Sequence, residues 1–162
     1  MKCPNCQSRA VRLNGYPWYI CIKCEHEFRR EEMIQELVDK FMENRDTLRA
    51  KFTEKHPEDY KGIVTEVVKL LKGTYEYSNL DPDRIHEIDD GDYQGTLLYM
   101  IASTGYQPGN YWYVKVDYGS CSGCDTLEGI REYSSNPPNE EQAQEYMTLA
   151  LHIVQGLKKL EG

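Results

Sequence analysis

All six cysteines of this 162-residue chain stand in three Cys-x-x-Cys pairs: Cys3/Cys6, Cys21/Cys24 and Cys121/Cys124. No other feature constrains the fold so strongly. Two residues between thiols let a tight turn offer both sulfurs, and its own amides, to a single ion. A second such turn completes a tetrahedral shell of four sulfurs. The first two pairs have this spacing, with fourteen residues between Cys6 and Cys21. The first six residues contain no apolar leader, and a chain without a secretion signal is expected in the cytoplasm. Thiols stay reduced there, so paired cysteines point to metal or redox chemistry before a disulfide framework.

Between these pairs, Ala10-Val11-Arg12-Leu13 and Trp18-Tyr19-Ile20 suit a short hairpin turning at Asn14-Gly15-Tyr16-Pro17. Glu27-Phe28 supplies another strand after the last cysteine. The segment 1–29 resembles a zinc ribbon, with Cys3, Cys6, Cys21 and Cys24 holding one Zn2+. So small a unit has almost no core, and the ion would supply most of its folding energy. Ribbons serve nucleic-acid machinery and protein docking alike; Trp18 and Tyr19 suit packing as well as stacking. His26 is a spare fifth ligand beside an already complete set.

From Arg30 to Lys55, Met33, Ile34, Leu37, Val38, Phe41, Leu48 and Phe52 recur at helical steps, and His56-Pro57 ends the run. One connecting helix over 30–56 is expected, a rod about 39 Å long. Ile34, Phe41 and Leu48 lie one heptad apart, so a homodimeric coiled coil is an alternative to a packed helix. Pro57 suits the first turn of a second helix to Lys72, stopped by Gly73. Residues 74–92 read as polar loop, with turn signals at Asn79, Asp81-Pro82 and Gly91. Strands are expected over Gly95–Ser103 and Tyr111–Tyr118, the first interior because it is apolar on both faces. Asn139 with Gln142 resembles a capping box opening a last helix to Leu160. The fold class is therefore α+β: a ribbon (1–29), a connecting helix (30–56) and a helix–β-hairpin–helix domain (57–162).

Pairing the two strands antiparallel sets position 96 near 118, and 93 near 121. The acidic run Asp89-Asp90-Gly91-Asp92 should then meet Cys121 and Cys124, with Asp117 and Asp125 nearby. Four readings of this third pair stand side by side. It is a second metal site with His86 or Asp92 as further ligand, a nucleophile on the elbow-like Gly119-Ser120-Cys121-Ser122-Gly123, a redox dithiol, or two packed thiols. Metal-assisted or cysteine-dependent catalysis at this place is the enzyme alternative; no catalytic residue is assigned.

Asp92-Tyr93-Gln94-Gly95-Thr96 and Tyr118-Gly119-Ser120-Cys121-Ser122-Gly123-Cys124-Asp125 also resemble an uncharacterised family of bacteriophage and bacterial proteins. The resemblance spans residues 57–135, implies no activity, and suggests a phage or mobile-element accessory protein. Charge bears on the partner. Residues 1–56 carry 11 Lys/Arg against 9 Asp/Glu, whereas residues 57–162 carry 8 against 18. The acidic part should bind nucleic acid weakly or not at all, and the chain lacks the apolar run of about 20 residues that a membrane helix needs. The expected role is an adaptor whose ribbon docks on a protein or a nucleic-acid-bound complex. His56, at a helix end, suits the helix dipole, and His152 should be solvated. Thirteen tyrosines against three phenylalanines suit amphipathic packing and interfaces.

Overall fold

The computed structural model describes residues 3, 5–6, 8–12, 18–24, 27–72, 79–132 and 136–160, and the fold mixes helix and strand. The turn expected at Asn14–Pro17, together with Leu13, His26 and Gly73, lies outside the described residues. Three short strands come first: β1 (Ala10–Arg12), β2 (Trp18–Cys21) and β3 (Glu27–Arg29), antiparallel in the order β1-β2-β3. Ala10 faces Cys21 across one pair and Trp18 faces Arg29 across the other. Among the described residues their buried cluster is Cys3, Ala10, Tyr19 and Cys21. It shares no member with the main core.

Helix α1 (Arg30–Glu43) starts at the residue after β3. The single rod expected over 30–56 is in fact broken at Asn44, beyond which α2 runs over Arg45–Glu54. The asparagine itself explains the break. Its side chain donates to the Lys40 carbonyl at 2.9 Å, its amide bonds back three residues to Phe41 at 3.2 Å, and φ −108°, ψ 9° is not helical. The heptad seam also has an occupant. Phe41, Leu48 and Phe52 are buried in the core that includes Ala143, Tyr146 and Met147 of α5 (Glu140–Gly156), and Ile34 is half-buried. A coiled coil through Phe41 and Leu48 would have to strip this chain's own last helix from them.

Helix α3 (Tyr60–Leu71) begins later than expected. Asp59, not a residue before Pro57, is its N-cap, and its carboxylate accepts the Gly62 amide at 2.7 Å. The expected face is buried: Ile63, Val64, Val67, Val68 and Leu71 are wholly enclosed, each contributing about 1.5–3 kcal/mol by leaving water.

The second sheet has the order β4-β5-β6-β7, all antiparallel. Strand β4 (Leu80–Asp89) occupies most of what reads as a polar loop. It is an edge strand, so its outer row needs no apolar residues. Charges and Pro82 are tolerated there, and the register shifts between Leu80 and Ile85. Strands β5 (Gly95–Ser103) and β6 (Tyr111–Tyr118) have the expected bounds, and β5 is interior between β4 and β6. Gly95 faces Tyr118, one residue from the expected register. Trp112, Val114 and Val116 alternate inward. A short α4 (Thr126–Arg131) follows. The Asn139–Gln142 capping box is formed at the start of α5, but that helix stops at Gly156, short of the expected Leu160. Lys158 and Lys159 instead make a two-residue β7 against Tyr113 and Trp112. Among the described residues no helix is long and apolar enough to cross a membrane.

Candidate metal centre

The hairpin of β1 and β2 brings the two N-terminal cysteine turns together. Cys21 closes β2 opposite Ala10, and the Ile22 amide reaches the Arg9 carbonyl at 3.1 Å. The Sγ atoms of Cys3, Cys6, Cys21 and Cys24 all lie within 4.8 Å of one another. Cys3 to Cys24 is 3.6 Å and Cys6 to Cys21 is 3.4 Å. Sulfurs about 2.3 Å from one central ion would sit about 3.8 Å apart. The four are therefore positioned to bind a metal ion.

The surrounding donors favour thiolates. The amides of Lys23 and Cys24 both point at Cys21 Sγ at 3.4 Å, and Asn5 Nδ2 stands 3.8 Å from Cys24 Sγ. Hydrogen bonds from Ser8, backbone first and then side chain, bring Cys6 down to about 6. Hydrogen bonding to the charged form stabilises it, and the thiolate is the ligand form. Sequence reading picked out the four converging thiols and missed Ser8. The signal was there: a small hydroxyl residue two places after the second cysteine of a turn.

The third pair is built otherwise. Cys121 and Cys124 are both exposed, with Sγ atoms 2.7 Å apart. The amide bond runs from Cys121 N to Cys124 Sγ, at 3.1 Å. Among the described residues no third ligand joins them in a metal-sized group. The expected second site with His86 or Asp92 is not assembled. His86 is exposed and faces Met100, whose other neighbour is Tyr113. Tyr113 lies five residues before the end of β6, roughly 17 Å along the strand. Asp92 sits in the exposed turn between β4 and β5. Two packed thiols is also the wrong picture, since both are exposed.

The acidic run does reach this end of the sheet. Asp89 shares a cleft of about 310 Å3 with Tyr118, Gly119 and Asp125. Its carboxylate accepts the Tyr118 hydroxyl at 2.7 Å and the Gly91 amide at 3.0 Å. Asp90 takes the Thr96 amide at 2.6 Å, and Asp117 takes the Thr96 hydroxyl at 2.8 Å. Asp89, Asp90 and Asp117 are each answered by a local donor, and Asp92 is exposed to solvent, so the cluster needs no cation to exist. The Asp89 hydrogen bond, then burial, push Tyr118 up to about 12, with the charges of Asp90 and Asp92 adding to the effect.

Asp125, only 6% exposed, organises the turn itself. It accepts from Tyr60 Oη at 3.1 Å, the Gly119 amide at 3.1 Å and the Glu128 amide at 2.9 Å. A side chain at Gly119 would place its Cβ 2.4 Å from the Cys124 carbonyl oxygen, so the approach of strand end to cysteine turn requires glycine. The two other described histidines are structural or solvated. His56 is tied to Tyr146 Oη at 2.6 Å and the Asn136 carbonyl at 2.9 Å, and His152 is exposed. Compared with protein-family models, curated proteins and solved structures, the chain matches none.

Proposed function

We propose that Cys3, Cys6, Cys21 and Cys24 hold one structural Zn2+ in a zinc ribbon, and that the chain is an adaptor docking through this unit on a protein or a protein-bound nucleic acid. The observation that carries the reading is the closed set of four thiols. Four sulfurs fill a tetrahedral shell and leave no open position for water or substrate, which is the mark of a structural site. Borderline-soft Zn2+ suits an all-thiolate, redox-inert shell. The ion stabilises a unit whose buried cluster, among the described residues, is four residues.

Docking is supported by what the ribbon leaves outside. Ile22 is 63% exposed and Val11 40%, with Arg9 and Lys23 exposed beside them. An exposed apolar tip flanked by cations suits a protein surface with acidic groups better than naked polyanion, which the -10 of residues 57–162 would repel. A phage or mobile-element accessory role fits an adaptor of this kind. Elemental analysis of the full chain should give one zinc per molecule, and Cys3→Ser should remove it. A photo-crosslinker replacing Ile22 should trap a protein in a zinc-dependent way. Zinc at zero per chain, or crosslinks that persist in Cys3→Ser, would overturn the reading.

A further inference from the structure

We propose that Cys121 and Cys124 are a redox dithiol that exchanges with low-molecular-weight disulfides and closes to an intramolecular disulfide. The two sulfurs are 2.7 Å apart. Two ligands of one zinc ion stand about 3.8 Å apart, and a disulfide bond is about 2.0 Å. The pair is thus closer than sharing an ion permits and one short displacement from bonding. The N-terminal thiols, at 3.4 and 3.6 Å, fit the ion.

The turn is also held ready. The amides of Cys124 and Asp125 both donate to the Cys121 carbonyl, at 2.9 and 2.8 Å. Asp125 is in turn fixed by Tyr60 and Gly119. A backbone fixed in this way loses little freedom on ring closure, so the second sulfur presents itself at high effective concentration. Both cysteines are exposed, and a small disulfide can reach the turn.

Cys124 is the attacking group. Its Sγ accepts the Cys121 amide at 3.1 Å and shares a hydrogen bond with the Cys121 thiol in which either sulfur can donate; as a thiol it also donates to the Cys121 carbonyl at 3.2 Å, a bond it gives up on ionising. The hydrogen bonds from Cys121, the side-chain one foremost, lower its pKa against a smaller opposing effect of burial. In the first step the Cys124 thiolate attacks one sulfur of the disulfide RSSR. A Cys124–SR bond forms, the S–S bond breaks, and RS− leaves. In the second, Cys121 loses its proton to solvent and its thiolate attacks Cys124 Sγ. The Cys121–Cys124 bond forms and the second RS− departs. Two electrons pass from the protein dithiol to RSSR, which becomes two thiols. Run backwards, the same exchange oxidises small thiols.

The test uses the full, zinc-loaded chain in glutathione redox buffers, quenched with acid, alkylated and mapped by mass spectrometry. The wild type should lose two hydrogens within the 121–124 peptide and keep its zinc. Cys121→Ser should stop at a glutathione adduct on Cys124, with at least about tenfold more adduct than the wild type. Cys124→Ser should slow the reaction of the remaining thiol by about tenfold. Three results would each overturn the proposal: stable separate adducts on both wild-type cysteines, oxidation of the N-terminal thiols with zinc release before the 121–124 pair reacts, or a second zinc that shields Cys121 and Cys124 from alkylation.

Discussion

The turns at Cys21–Cys24 and Cys121–Cys124 have the same spacing and opposite wiring. In the first, later amides point back at the leading sulfur, and a second pair of thiols completes the set. In the second, the leading amide points forward at the trailing sulfur, and Asp89 and Asp90 each turn one oxygen to a local donor. Two intervening residues therefore fix only that the sulfurs are near each other. Which way the amides face, and whether a second pair of thiols arrives, is what sets the two turns apart.

The widest gap between the two turns should appear on metal removal. A strong chelator, or Cys21→Ser, should abolish the ordered signals of β1–β3 in an NMR spectrum and leave those of β4–β7 in place. Among the described residues the two clusters share no buried member, and a ribbon as proposed would have little to fold around without an ion. Loss of both sheets together would break the comparison. Next in size is Asp125→Ala, which strips a cap and the partner of a buried tyrosine hydroxyl. Urea denaturation should register about 2–3 kcal/mol, with zinc content unchanged. Gly119→Ala should cost about 1–3 kcal/mol by the same assay, because the new methyl meets backbone that cannot rotate away. Cys121→Ser should fall within about 0.5 kcal/mol of wild type, as expected of an exposed position, and should again retain one zinc.

The smallest effect is titrimetric. Tyr118 is raised in the folded state by its bond to Asp89, so that bond supports folding below the ordinary tyrosine value and is lost as pH climbs through about 12. Followed by tyrosinate absorbance, Tyr118→Phe should delete a phenol titrating well above pH 10 and leave acid stability unchanged.

Much of this was legible in the chain. The β5–β6 hairpin was readable because Trp112, Val114 and Val116 alternate cleanly and the connection is too short for a parallel crossover. The capping box at Asn139 was equally local. What escaped was decided by tertiary context. Strand β4 carries Asp83, Arg84, His86 and Glu87 because an edge needs no second apolar row, so its letters match those of a loop. The break at Asn44 depends on one side chain outcompeting the helix for a carbonyl, within a run whose apolar steps continue undisturbed. The third cysteine pair was found, but its partners were misjudged. Register placed Asp89 at the right end of the sheet, and only the structure shows its Oδ1 already engaged by both Tyr118 and Gly91.

The position of α5 has a consequence for biosynthesis. Helices α1 and α2 are complete in sequence by Glu54, yet the side chains covering Phe41, Leu48 and Phe52 arrive with residues 140–156. At ribosomal speeds of about 5–20 residues per second, that apolar face waits several seconds after emerging. The four-cysteine unit waits for nothing, since its last thiol is on residue 24. Its thiols can converge while the remainder is still being made, so this cluster is complete in sequence long before the body of the chain.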